Sequence, residues 1–95
     1  MFTIFLRSSD NKSEAPRFMD GHNAWIQKGF EDGVFLMVGG LQPNAGGAIL
    51  AHNVDREALE QRVQNDPFVA EGVVVAEIHE IKPARTDERL SFLAA

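Results

Sequence analysis

Residues 34–53, VFLMVGGLQPNAGGAILAHN, contain two apolar runs joined by a short turn, and they decide the fold. The first run, residues 34–41, is apolar throughout apart from two glycines, which predicts a buried strand. Residues 42–47 are typical turn residues, and residues 48–53 predict the next strand. Because the connection is short, the two strands form a hairpin in the middle of the chain.

Upstream of the hairpin, the sequence predicts one strand followed by one helix. Residues 2–6, FTIFL, combine apolar and β-favouring side chains and predict a strand. The helix that follows is expected to begin with Ser13 as its cap and Pro16 in its first turn. It is expected to end near Asp32, since Gly33 is suited to the conformation that closes a helix.

Downstream of the hairpin, the sequence predicts one helix, a short turn and one strand. Asp55 is suited to cap a helix over residues 56–65, which are rich in helix-forming residues. Residues 66–72, DPFVAEG, predict a tight turn or a single helical turn. Residues 73–83 then predict a fourth strand that Pro83 ends.

The order βαββαβ predicts an α+β, ferredoxin-like fold. Right-handed crossovers place both helices on one face of a four-stranded antiparallel sheet. The opposite face would be open, yet the strand over residues 34–38 is apolar at every position. We therefore expect a second copy to cover that face, giving a homodimer that forms a dimeric α+β barrel.

Length and composition restrict the classes of function. The 95 residues predict one domain over residues 1–83, followed by a tail over residues 84–95. The tail carries Leu90, Phe92 and Leu93, so we expect it to dock on the domain or on the dimer partner. Cysteine is absent, which excludes disulfides and thiolate chemistry. The net charge of −5 argues against nucleic acid as a partner, and without a membrane span or signal sequence we expect a cytoplasmic protein.

Two residues stand out as candidates for chemistry. His22 lies at helical spacing on an apolar stripe with Phe18, Ile26 and Phe30, where an ionisable side chain is unexpected. A lone histidine in such a place is more often structural than functional. Asp66, followed by proline, is suited to cap a helical turn, and a carboxylate held there by backbone N–H groups is oriented and stays ionised.

The chain resembles the YCII-related (YciI-like) family of dimeric α+β barrel proteins. The resemblance rests on His22 in the first helix, on EDGVFLMVGGLQP, on NDPFVAEGVV and on the strand IHEIKP, and it covers roughly residues 1–83. It implies a pair of His22 and Asp66 in a pocket. One activity attributed to the family is a dehydrochlorinase acting on a chlorinated hydroquinone-type substrate.

The surroundings of that pair supply candidates for substrate binding. Trp25 and Phe68 are aromatic, Gly40 lies in the glycine-rich hairpin loop, and Ser8 follows the first strand. Packing, turn and capping roles explain these residues equally well. No cofactor is expected. We also expect no metal, because the three histidines lack a ligand-like spacing.

Two classes of function remain open from the sequence. One is an enzyme, a lyase or isomerase, in which His22 exchanges a proton with a small cyclic or aromatic-like substrate while Asp66 orients the imidazole. The other is a non-catalytic dimeric module that binds a small metabolite or regulates a partner, with the two residues as a structural pair. An open pocket beside the histidine would favour the enzyme.

Overall fold

The computed structural model describes residues 1–94. Four strands and three helices follow one another along the chain: β1 (Phe2–Ser8), α1 (Ala15–Glu31), β2 (Phe35–Gly40), β3 (Gly46–Ala51), α2 (Arg56–Gln64), α3 (Pro67–Ala70) and β4 (Val74–Glu80). Short 3-10 segments lie at Lys12–Glu14 and Glu88–Ala94.

The strands form one antiparallel sheet in the order β2-β3-β1-β4. The two hairpin strands, β2 and β3, are neighbours, and the crossovers through α1 and α2 place β1 between β3 and β4. This is the ferredoxin-like α+β arrangement, so the fold expected from the sequence is confirmed. Its assembly into a dimer stays a prediction.

Details at the element ends differ from the expectation. The N-cap position of α1 is Glu14, and no side-chain hydrogen bond caps that end in the described chain, so Ser13 as the cap was wrong. The reason is the 3-10 turn over Lys12–Glu14, which leads directly into the helix. β4 ends at Glu80 and not at Pro83. Phe30, expected on the buried stripe, is 44% exposed.

The hydrophobic core lies between the sheet and the helices. Alternate residues of β1 point into it, with Ile4 fully buried, and Ile49 of β3 and Leu59 of α2 pack from the two sides. Gly29 is the one buried residue of α1, and a Cβ there would overlap the ring of Phe35. α1 can therefore lie close to β2 only because residue 29 lacks a side chain.

The other face of the sheet is open in the single chain. The strand register places Phe5, Ala48 and Leu50 on that face, together with Met37 and Val75, which are 56% and 58% exposed. Polar pairs lie among them. Arg7 Nε donates to Glu77 Oε2 at 2.6 Å, and this hydrogen bond, followed by one from His79, lowers the pKa of the Glu77 carboxyl.

The C-terminal segment, Glu88–Ala94, follows the domain and has no buried residue. Phe92 meets the ring of His52 edge to face, with 5.6 Å between ring centroids, while Leu90 and Phe92 remain 43% and 50% exposed. Within residues 1–94, none of the helices has the length and apolar character needed to cross a bilayer.

Candidate functional site

A cavity of about 630 Å³ opens beside the sheet, where the first helix, the hairpin loop and the short helix α3 meet. Its wall is formed by the end of β1, the 3-10 turn, the first two turns of α1 and the facing glycines of β2 and β3. Phe68, Val73 and Val74 close it on the remaining side. A cavity of this volume is large enough for a small ring compound.

The side chains of His22 and Asp66 meet beside this cavity. His22 Nδ1 lies 2.8 Å from Asp66 Oδ1, and His22 also lines the cavity. The histidine side chain is 12% exposed and the aspartate side chain is fully buried. The sequence placed these residues 44 positions apart, and the fold brings them into hydrogen-bonding distance.

The local sequence explains why Asp66 holds this orientation. Asp66 adopts an extended backbone and caps α3, with Oδ1 accepting from the backbone N–H of Phe68 at 3.0 Å. Pro67 occupies the first turn, where its missing N–H costs nothing. The same carboxylate oxygen therefore accepts from the helix end and contacts the imidazole, so the cap fixes the partner of His22.

Gly21 lets the two helices come together at this point. A Cβ on Gly21 would lie 3.0 Å from Cγ of Pro67, tighter than nearly all side-chain contacts. A larger residue at this position, one before His22, would therefore require Pro67 to shift by a few tenths of an ångström. In the sequence DGH of the first helix, Gly21 thus makes the close contact between the helices, and this contact positions the next residue, His22.

The hydrogen bond to Asp66 decides which nitrogen of His22 is available. When Asp66 is ionised its oxygens can only accept, and Nδ1 of His22 then carries the proton of this pair. The lone pair is then on Nε2, which has no hydrogen-bond partner among residues 1–94. A histidine held in one tautomer by a carboxylate, with its other nitrogen free beside a cavity, can accept or deliver a proton.

Two aromatic rings lie beside the imidazole of His22. The ring of Phe68 is parallel to that of His22, with 3.9 Å between centroids and an interplanar angle of 4°. Trp25 lies 6.0 Å away and is fixed by a hydrogen bond from Nε1 to the carbonyl oxygen of Arg62 at 2.9 Å. An imidazolium over an aromatic face is stabilised by the ring quadrupole.

The candidate substrate-binding residues divide into two groups. Ser8, Gly40 and Phe68 line the cavity. Trp25 is not among the described residues that line it. It lies behind His22, beside a shallow groove between α1 and α2. Its position is explained by its bond to Arg62 and its edge-to-face contact with Phe35, so we assign Trp25 to packing behind the site.

Sequence reasoning missed four polar residues of the cavity wall: Lys12, Ser13, Asn23 and Asn44. Asn23 directly follows His22, and Asn44 lies in the turn of the hairpin with a positive φ of 51°. Lys12 and Ser13 belong to the polar connection after β1. Their spacing carries no motif, and only the topology shows that this connection and the hairpin turn border one cavity.

One atom of the pair is unusual. Asp66 Oδ2 is buried and has no hydrogen-bond partner among residues 1–94, while Oδ1 has two contacts. Buried carboxylate oxygens are normally bonded to protein or to water. No group of three or more metal-ligating side chains converges in the described residues, so neither oxygen belongs to a protein ligand set of that size.

Comparison with known proteins agrees with this architecture. The family model described as YCII-related domain matches residues 1–84. Among solved structures, 5-chloro-2-hydroxyhydroquinone dehydrochlorinase (TftG) from Burkholderia phenoliruptrix AC1100, in complex with 2,5-dihydroxybenzoquinone, superposes with a TM-score of 0.68. That similarity covers 86% of this chain and 94% of that chain at 14% identity, and it shows the shared fold. A search of curated proteins finds no match.

Proposed function

The chain belongs to the YCII-related domain family, and from that premise we propose that it is an enzyme in which His22 and Asp66 perform acid–base chemistry. The substrate would be a small cyclic or aromatic-like compound bound in the cavity beside His22. The reaction would be an elimination or an isomerisation, with a dehydrochlorinase-like lyase as the specific case.

The observation that carries this proposal is the setting of His22. Its Nδ1 lies 2.8 Å from a buried carboxylate, and the same side chain lines an open cavity of about 630 Å³. A histidine with a purely structural role needs a hydrogen bond but needs no ligand-sized space. The cavity wall combines six apolar side chains with six polar ones and four glycines, and sites for small molecules likewise join apolar surface to polar groups that orient the ligand.

The geometry supports a simple proton-transfer step. His22 Nε2 would remove a proton from a C–H or O–H group of the substrate. The released electron pair would form a double bond in the ring, and the leaving group would depart with its bonding pair. Asp66 would stabilise the imidazolium formed at His22, and the proton would then pass to solvent or product. A positioned base of this kind contributes about 10²–10⁴ in rate.

The structurally similar TftG is a dehydrochlorinase of 5-chloro-2-hydroxyhydroquinone, and that compound is the first substrate to test. The assay would follow chloride release by the wild-type protein and by His22→Asn. The asparagine amide can still donate to Asp66 from the position of Nδ1, but it offers no base at Nε2. We expect turnover to fall by about 10²–10⁴ while the melting temperature stays close to wild type.

The matched control is His52→Asn, which changes a histidine outside the cavity and should leave turnover unchanged. Equal turnover by wild type and His22→Asn would contradict the proposed base. Ligand-induced thermal shifts without turnover of this compound or related enolisable rings would favour the alternative, a non-catalytic module that binds a small metabolite.

We also propose that the protein is a homodimer in which two open sheet faces meet. The support is the exposed apolar surface of that face, where Met37 and Val75 are more than half exposed. Leaving such a surface in water is unfavourable by roughly 25 cal/mol per Å². Met37→Glu should convert a dimer into a monomer in sedimentation at micromolar concentration, whereas Ala58→Glu, on the exposed surface of α2, should not. A monomeric wild-type protein would exclude the dimer.

A further inference from the structure

The charge of the cavity wall differs from that of the protein as a whole. The chain has 14 acidic residues and a net charge of −5, yet none of the described residues lining the cavity is acidic. The polar part of the wall consists of Ser8, Ser13, Asn23, Asn44, His22 and Lys12. Lys12 therefore brings the one permanent charge to this wall, and that charge is positive.

Lys12 has no carboxylate partner. Six of the nine lysines and arginines pair with a carboxylate: Arg7, Arg17, Lys28, Arg56, Arg62 and Arg89. Among residues 1–94, Lys82 and Arg85 also have none, but of these three residues Lys12 is the one that lines the cavity. The Lys12 side chain has no ion pair and no hydrogen bond with any residue from 1 to 94. It is exposed and lines the cavity.

We propose that Lys12 binds an anionic oxygen of the ligand, and that the cavity therefore selects small ring compounds carrying a phenolate, enolate or carboxylate. The inference rests on the proposed function in one respect only, namely that the ligand occupies the cavity beside His22. It does not depend on turnover. Lys12 acts as a substrate-binding residue and takes no part in proton transfer.

Physical chemistry favours an anion at this position. A carboxylate in the wall would repel a charged ring oxygen, and the wall has none among residues 1–94. Asp66 does not line the cavity: it is fully buried and hydrogen-bonded to His22. The neutral hydroxyl and amide groups of the wall can donate hydrogen bonds without adding charge. A ring oxygen that is already ionised also supplies electron density to expel a leaving group, which suits the elimination proposed for His22.

The test compares a charged and an uncharged ring probe of similar size by calorimetric titration. The charged probe is 2,5-dihydroxybenzoquinone, which is ionised at neutral pH, and the uncharged probe is hydroquinone, handled without oxygen. The variants are Lys12→Gln and the matched control Lys82→Gln. Lys82 lies after β4, outside the cavity, and likewise has no carboxylate partner among residues 1–94.

We expect the wild-type protein to prefer the charged probe. Lys12→Gln should weaken its binding by about 10-fold or more, since a charge-assisted hydrogen bond is lost, while hydroquinone binding changes by less than about 2-fold. Lys82→Gln should change neither. Raising the salt concentration should weaken binding of the charged probe to wild type and have little effect on Lys12→Gln.

Equal effects of Lys12→Gln on both probes, no effect on either, a wild-type preference for hydroquinone, or no binding of the charged probe would each overturn the proposal. The role of His22 is judged separately. Charge-selective binding without turnover would leave Lys12 assigned and reject the acid–base function. Turnover that requires His22, with an unchanged KM in Lys12→Gln, would support the acid–base function and reject the role of Lys12.

Discussion

Replacing Gly29 by alanine sets helix propensity against packing, and the structure predicts that packing dominates. In the interior of a helix, glycine to alanine is favourable by about 1 kcal/mol. At residue 29, however, the new methyl group would overlap three carbons of the Phe35 ring, the most distant of which, Cγ, lies 2.7 Å away. Phe35 is 3% exposed and contacts the rings of Trp25 and Phe30, so it has little room to move.

The expected result is a net loss of stability. Overpacking of a core costs roughly 1–3 kcal/mol, and displacing a buried phenylalanine forfeits a further ~1.5–3 kcal/mol of burial if it leaves its site. After the helix gain is subtracted, the free energy of unfolding should fall by about 0–2 kcal/mol if Phe35 keeps its site, and by about 1.5–5 kcal/mol if it is displaced. The assay is urea unfolding followed by fluorescence of Trp25, the single tryptophan.

Two variants make this prediction specific. Gly21→Ala is the same change in the same helix, but its methyl group meets only Cγ of Pro67 at 3.0 Å and Cβ at 3.7 Å, so its stability should change much less. Adding Phe35→Leu to Gly29→Ala should recover part of the loss, although Phe35→Leu alone is destabilising. Stabilisation by Gly29→Ala, or strictly additive effects in the double variant, would refute the packing argument.

Two further predictions concern charge and the tail. Hydrogen bonds from Lys28 and Arg62 lower the pKa of the Asp32 carboxyl, so its stabilising contribution is present above the ordinary Asp pKa of about 4 and is lost as pH falls through the lower folded value. Wild type should exceed Asp32→Asn in melting temperature at neutral pH but not near pH 2, and an equal difference at both would contradict this. Removing residues 88–95 should lower the melting temperature, because Phe92 loses its contact with His52; an unchanged melting temperature would show that the tail does not dock.

The element order was predictable from the sequence because local signals carried it. Two apolar runs around a turn define the hairpin, and Asp55 and Asp66 cap their helices as their positions indicated, with side chains accepting from Ala58 and Phe68. The start of α1 was not predictable in the same way. Ser13 has the right chemistry for a cap, but the 3-10 turn before α1 moves the helix start beyond it.

The site was predictable only in part, because the contacts between its elements are not visible in the sequence. His22 and Asp66 each stand out in the sequence, but their contact depends on how closely α1 approaches α3, and Gly21 shows this only once Pro67 is seen beside it. Trp25 was grouped with the cavity because it is near His22 in sequence. Trp25 lies three residues after His22 on the same helix, so it packs beside the imidazole. It donates a hydrogen bond to the carbonyl oxygen of Arg62 and does not line the cavity.

Glycines form a whole side of the cavity, and this makes its shape easy to alter. At Gly39 a Cβ would meet no atom of the described chain within 4 Å, and at Gly40 the nearest atom is 3.8 Å away. At Gly46 it would overlap the carbonyl oxygen of Leu6. Gly40 pairs with Gly47, opposite Leu6, on the helix side of the sheet, so a side chain at position 40 can narrow the cavity. Gly39 pairs with Ala48, so a side chain there would point to the open face of the sheet. Position 46 cannot accept a side chain without breaking the β1–β3 pairing. Variant libraries that seek a new substrate preference should begin at residue 40, where one substitution changes the shape of the wall and leaves His22 and Asp66 in place.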